Sequence, residues 1–167
     1  MKFQNLSEKK IAIWGRGKEG IAVYNCLKEK TTPKEIIFIE EENVHDLYDC
    51  DVLIKSPGVS LYREEIKNAK EKGIYCTSAS NLFFKNKAEK TKVLAVTGTK
   101  GKSTTSSLLY HTLSMLGLSV KLGGNIGTPL IELIDETPDF VIAEMSSYQA
   151  ADLKGDIEIA ILTNLYQ

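Results

Sequence analysis

Short apolar runs bounded by turn residues alternate along this chain with longer stretches in which apolar positions recur at helical spacing. Lys10–Trp14 (KIAIW) reads as a strand. Glu19–Lys30 follows as a helix, with Ile21, Ala22, Val23, Cys26 and Leu27 on one face. Ile36–Ile39, after Pro33, is a second strand, and Val52–Ile54, closed by Ser56-Pro57-Gly58, a third. Tyr62–Lys72 predicts a charged helix with Ile66 and Ala69 inward, ended by Gly73. Ile74–Cys76 is a short fourth strand, and Asn81–Lys85 a helical turn.

The polar, lysine-rich stretch 85–92 contains no bulky apolar residue and predicts a linker, giving units at 1–90 and 91–167. The alternation then resumes. Val93–Thr97 is a strand, Lys102–Leu116 a helix ended by Gly117, Ser119–Leu122 a strand and Pro129–Ile134 a short helix. Phe140–Met145 and Glu158–Leu162 are further strands. Strands alternating with helices predict an α/β fold with parallel sheets. Continuous apolar strands such as VLAVT and FVIAE predict sheets covered on both faces. Residues 93–167 number 75, few for a nucleotide-binding domain.

Composition narrows the class. At 167 residues, 43% hydrophobic and 26% charged, the chain is globular rather than disordered, collagen-like or disulfide-dense. Its net charge of −1 offers no basic field, so no nucleic-acid partner is expected and any anion site is local. Cys26, Cys50 and Cys76 form no CxxC or Cys/His cluster, which predicts free thiols in a reducing compartment. No apolar stretch resembles a secretory signal or a membrane span, so a cytoplasmic location without membrane insertion is expected.

Four loops carry candidate chemistry. Gly15-Arg16-Gly17-Lys18-Glu19-Gly20 follows a strand, opens a helix and matches G-x-G-x-x-G; Glu40 lies twenty residues past Gly20 at a strand end. That pattern suits a dinucleotide, another diphosphate or a packing turn, and Glu40-Glu41-Glu42 suits a solvated strand end equally well. Thr97-Gly98-Thr99-Lys100-Gly101-Lys102-Ser103-Thr104 lies between a strand and a helix. There backbone N–H groups would cradle phosphates, Lys102 would neutralise charge, and Ser103 would offer its hydroxyl to Mg2+. Val96 occupies the position of the usual first glycine, making this a shorter variant of the phosphate loop. Gly123-Gly124-Asn125-Ile126-Gly127-Thr128-Pro129 is either a plain glycine turn or a backbone that admits a ligand to Asn125. Glu144-Met145-Ser146-Ser147-Tyr148-Gln149 puts a carboxylate at the end of an apolar strand, where it either holds Mg2+ or bonds to a neighbouring loop.

In this order the four loops resemble the Mur ligases of peptidoglycan synthesis. TGTKGKST has the family's phosphate-loop form. GGNIGTP and EMSSYQ resemble the patterns G-G-N-I-G and E-L-S-S-F-Q of the branch that adds D-glutamate to UDP-N-acetylmuramoyl-L-alanine. SPGVS and GRGKEG match in place, and LTNLYQ resembles the segment before the family's Asp-His motif. Lys18-Glu19 and Glu40-Glu41-Glu42 depart from relatives that carry Leu-Thr and Asp-Thr-Arg.

The resemblance implies a Rossmann-like UDP-sugar domain followed by the first part of a central ATPase domain, an inactive piece of a ligase that is monomeric at full length. It implies ATP and Mg2+ as cofactors, UDP-N-acetylmuramoyl-L-alanine and D-glutamate as substrates, and an acyl-phosphate intermediate. Gly98, Thr99, Lys100, Gly101, Lys102, Ser103 and Thr104 would hold ATP, Ser103 and Glu144 the metal, and Lys102 and Glu144 the catalytic charge. Gly17, Lys18, Glu19, Gly20, Glu40, Gly58, Asn125 and Ser146 would meet the UDP-sugar. The rival readings are an NAD-dependent oxidoreductase built on Gly15–Gly20 and a non-catalytic nucleotide-binding module.

Overall fold

A computed structural model describes residues 1–165, which fall into two compact units, Met1–Asn86 and 87–165. The boundary lies within the polar stretch 85–92.

The first unit runs β1 (Lys10–Trp14), α1 (Lys18–Lys30), β2 (Glu35–Ile39), β3 (Val52–Lys55), α2 (Glu64–Glu71), β4 (Tyr75–Ser78) and α3 (Ala79–Asn86). Its sheet is wholly parallel in the order β2-β1-β3-β4. β3 is buried along its whole length and β1 from Ile11 onward, which is why neither shows polar alternation. In α1, Gly20, Ala22, Val23, Cys26 and Leu27 face the core, Glu19 opens the helix and Lys28 and Lys30 close it, as the helix dipole favours. Ile21 is 48% exposed rather than inward; one residue on from Gly20, it has turned about 100° off the buried stripe.

The helix expected from Tyr62 begins only at Glu64, because Arg63 keeps an extended backbone. The turn expected at Asn81–Lys85 is the longer α3. Asn86 closes it, donating to Leu82 O at 2.8 Å and accepting from Phe3 N–H at 3.0 Å. Two 3₁₀ segments, Phe3–Leu6 and Glu41–Asp49, lie outside the sequence expectation. The second starts where Asn43 folds back: its Oδ1 accepts from Glu40 N–H at 2.7 Å and its Nδ2 donates to Phe38 O at 3.0 Å.

The second unit runs β5 (Lys92–Thr97), α4 (Lys102–Met115), β6 (Val120–Gly124), a 3₁₀ turn (Leu130–Leu133), β7 (Phe140–Glu144), α5 (Ser147–Asp152) and β8 (Ile159–Leu162). Its sheet is also parallel, in the order β6-β7-β5-β8. Cover on both faces fails at β8, where Ile159 and Leu162 are more than half exposed. The short helix α5 went unpredicted. A capping box starts it: Ser146 Oγ accepts from Gln149 N–H at 3.2 Å, and Gln149 Oε1 accepts from Ser146 N–H at 2.8 Å.

Candidate functional site

In a parallel sheet the loops that follow the strands gather at one edge, the carboxyl edge. In the second unit this edge collects the loops after β5, β6, β7 and β8. Val96 pairs with Glu144, Gly124 with Glu144, and Thr97 with Leu162, so the four loop starts lie side by side.

The loop after β5 ends at Gly101, a left-handed cap of α4 with φ of +82° and no capping side chain. The first N–H groups of a helix have no partner within it, so this start presents donors and positive partial charge. Lys102 Nζ spans the loop, donating to Gly98 O at 2.8 Å and Thr99 O at 3.3 Å. Ser103 and Thr104 are exposed on the first turn. The backbone N–H groups of Thr99 and Lys100 are already engaged, the first by Asn164 O at 3.1 Å and the second by Asn164 Oδ1 at 2.9 Å. Of the amides expected from Gly98 through Thr104 to receive phosphate, those of Thr99 and Lys100 thus already have partners within the chain.

Glu144 is 3% exposed, and its Oε2 has no hydrogen-bond partner among the described residues. A buried carboxylate oxygen without a donor is costly unless a cation answers it. No group of three or more His, Cys, Asp and Glu residues forms a self-sufficient metal cage among the described residues. A lone buried carboxylate of this kind would suit Mg2+, which is usually bound by one or two protein carboxylates together with substrate phosphates. Asn125 is exposed beside Glu144, whose backbone O accepts Asn125 N–H at 3.0 Å. The Ser146 hydroxyl serves as the α5 cap.

In the first unit the connection after β1 leads to β2 on one side, and that after β3 to β4 on the other. The crevice between β1 and β3 is therefore a switch point, the usual ligand position in such sheets. Gly15–Gly20 leaves β1 there, and Ser56-Pro57-Gly58 leaves β3. Ser56 N–H donates to Trp14 O at 2.9 Å and its hydroxyl to Gly15 O at 3.4 Å, tying the two loops together. Gly17 caps α1, Lys18 and Gly58 are exposed, and Glu19 is half-buried in the first turn. Gly20 is buried, and a Cβ on it would run into Gly15 O, so its role is to let helix and turn touch. Glu40 is exposed, its N–H held by Asn43.

Sequence reasoning missed Arg63. From the start of α2 its guanidinium makes a bidentate pair with Glu41 at 2.7 and 2.9 Å and bonds Glu65 at 2.9 and 3.1 Å, while lying 4.8 Å from the Trp14 ring centroid. Its hydrogen bonds hold the Glu65 carboxyl down at about 2 and lower that of Glu41, and the two acids raise Arg63 in return. One arginine inside an alternation of charges gave no signal of this. Thr163 and Asn164 show no chemical signal in the sequence beyond the LTNLYQ resemblance, yet both bond to the loop after β5. Tyr166 and Gln167, the end of the LTNLYQ segment, lie outside the described residues.

Residues 96–167 match the family described as Mur ligase middle domain. Over 99% of its length the chain is 33% identical to the UDP-N-acetylmuramoyl-L-alanine--L-glutamate ligase of Xanthomonas campestris pv. campestris, covering 42% of that protein. Over 83% of its length it is 38% identical to the UDP-N-acetylmuramoylalanine--D-glutamate ligase of Clostridium kluyveri, covering 30% of it. The chain thus spans about two-fifths of the length of the first of these curated relatives. Its fold is similar to a murein peptide ligase from Psychrobacter arcticus, with a TM-score of 0.52 and 17% identity over 95% of this chain and 43% of that one. It is likewise similar to the UDP-N-acetylmuramate:L-alanyl-gamma-D-glutamyl-meso-diaminopimelate ligase from Neisseria meningitides, with a TM-score of 0.55 and 19% identity over 96% of this chain and 61% of that one.

Proposed function

From the match of residues 96–167 to the Mur ligase middle domain and the likeness of nearly the whole chain to curated ligases, we propose that this chain is part of a Mur ligase and carries the nucleotide-sugar and ATP sites of an ATP-dependent, amide-forming ligase of peptidoglycan precursor synthesis. The substrate is UDP-N-acetylmuramoyl-L-alanine and the incoming amine is that of glutamate. D-glutamate is our reading, from the GGNIGTP and EMSSYQ loops and the Clostridium relative. L-glutamate is the second reading, favoured by the Xanthomonas relative that matches 99% of the chain. The ligase acts in the cytoplasm as a monomer.

The observation that carries this reading is the Val96–Glu144 pairing, which sets a buried carboxylate with an unanswered oxygen beside a lysine-bearing loop and an uncapped helix start. Lys102 and the first-turn amides of α4 hold the triphosphate of ATP, with Gly98, Thr99, Lys100 and Gly101 shaping the loop around it. Ser103 and Glu144 hold Mg2+, which when bound supplies charge neutralisation on the phosphates. Asn125, with its two-sided amide, and Ser146 orient the sugar-peptide. Gly17 and Gly58 receive the diphosphate at the first switch point, with Gly20 letting α1 start close against Gly15 and with Lys18, Glu19 and Glu40 at the rim. Catalysis is then a matter of positioning and charge, with no covalent step on the protein.

Isothermal titration of this chain with UDP-N-acetylmuramoyl-L-alanine, UDP and NADH tests the reading. The UDP-sugar is expected to bind, UDP more weakly and NADH not at all. Binding of NADH in place of the UDP-sugar would establish the oxidoreductase reading instead.

A further inference from the structure

Thr163 and Asn164 follow β8, the strand that pairs with β5 on the side away from β7. Thr163 N–H donates to Thr97 O at 2.9 Å, continuing the ladder past the strand end. Its hydroxyl then turns inward, 2.6 Å from Lys100 O and 3.2 Å from Thr97 O. The Asn164 amide closes on Lys100 from both sides: Nδ2 donates to Lys100 O at 3.0 Å and Oδ1 accepts from Lys100 N–H at 2.9 Å. Asn164 O accepts from Thr99 N–H at 3.1 Å. Gly98, with φ of +137°, passes so close that a Cβ there would run into Thr163 Oγ1 and the Asn164 backbone.

We infer that Thr163 and Asn164 are positioning residues for the phosphate loop, holding Thr97–Lys100 in its ligand-receiving shape before any ligand arrives. The inference rests on the nucleotide-binding reading above. A loop outside regular structure must find partners for its backbone groups, and water is the default partner. Here two side chains and one carbonyl replace that water at Thr99 and Lys100. They also fix the carbonyls of Gly98 and Thr99 that hold Lys102 Nζ, so the ammonium is aimed by the same brace. A loop ordered in advance loses less freedom on binding, which appears as affinity. Thr163 and Asn164 touch no substrate; they act through the loop.

The test compares wild type with Thr163→Val, Thr163→Ser and Asn164→Ala in the whole chain. Amide exchange at Thr99 and Lys100 is read by NMR without nucleotide, and MgATP affinity by calorimetry. Wild type and Thr163→Ser, which keeps the hydroxyl, are expected to protect both amides and bind alike. Thr163→Val and Asn164→Ala are expected to speed exchange and weaken MgATP binding, each roughly tenfold, as loss of a hydrogen bond at a preformed site implies. Equal exchange in all four proteins overturns the brace. Faster exchange with unchanged MgATP affinity overturns its positioning role. Protected amides in a wild type that binds no ATP overturn the nucleotide-binding reading instead, and the brace stands.

Discussion

Glu144 stands opposite Val96 in the ladder between β7 and β5, and Met145 N–H donates to Val96 O at 2.9 Å. The last residue of β7 is thereby locked beside the penultimate residue of β5, with only Thr97 between it and the Gly98–Gly101 loop. On the proposed reading, Mg2+ on a nucleotide would neutralise this buried carboxylate, whose Oε2 has no partner among the described residues. In Glu144→Gln, the extra thermal stabilisation that MgATP gives over ATP in EDTA should vanish, while the melting temperature without ligand should not fall. Differential scanning fluorimetry checks both, and an undiminished Mg2+ increment in the variant would show that another group holds the metal.

Gly20 predicts a local packing effect. A methyl there meets Gly15 O across the α1–loop contact. Gly20→Ala should destabilise the first unit by about 1–3 kcal/mol, the usual penalty for overpacking. Urea unfolding followed by the fluorescence of Trp14 in β1 reads it, and an unchanged midpoint would contradict the close approach.

The Arg63 cluster predicts acid sensitivity. Glu65 titrates at about 2 in the folded chain against an ordinary 4.5, and Glu41 is lowered too. A depressed folded pKa stabilises the fold fully above pH 4.5, and that stabilisation drains away as pH falls through about 2. Solvent screens the cluster, so the effect is modest. Melting curves between pH 6 and pH 2 should therefore fall more steeply for wild type than for Arg63→Met. Parallel curves would deny the coupling.

Cys50 should be a slow thiol. Burial pushes it up to about 11, against an ordinary 9.0, which leaves roughly a hundredfold less thiolate at pH 8. Iodoacetamide labelling followed by mass spectrometry should find Cys50 lagging a model peptide thiol by that order. Labelling at the peptide's rate would contradict its burial.

The strands were legible as short continuous apolar runs, α1 through its buried face and the charges at its ends, and α4 through the glycine loop that opens it and Gly117 that ends it. α5 and the 3₁₀ segment at Glu41–Asp49 were not, since side-chain bonds at Ser146, Gln149 and Asn43 start them rather than any hydrophobic period. The loops themselves were legible in their glycines and Lys102. Their convergence was not: it depends on β7 inserting between β6 and β5, which no local pattern states. Arg63 reaches Glu41 across 22 residues, and Thr163 reaches Lys100 across 63, so both partnerships exist only in the folded chain.

In the proposed nucleotide site, the loop at Gly98–Thr104 holds a nucleoside triphosphate through Lys102. Lys102 bonds only to loop carbonyls among the described residues, so Lys102→Ala should leave the fold intact. The decisive measurement is the dissociation constant for MgATP of wild type and Lys102→Ala, with melting temperatures recorded alongside. The variant is expected to bind more than tenfold more weakly, in keeping with loss of a charge-assisted contact, at an unchanged melting temperature. Equal affinity in the two proteins would contradict the claim.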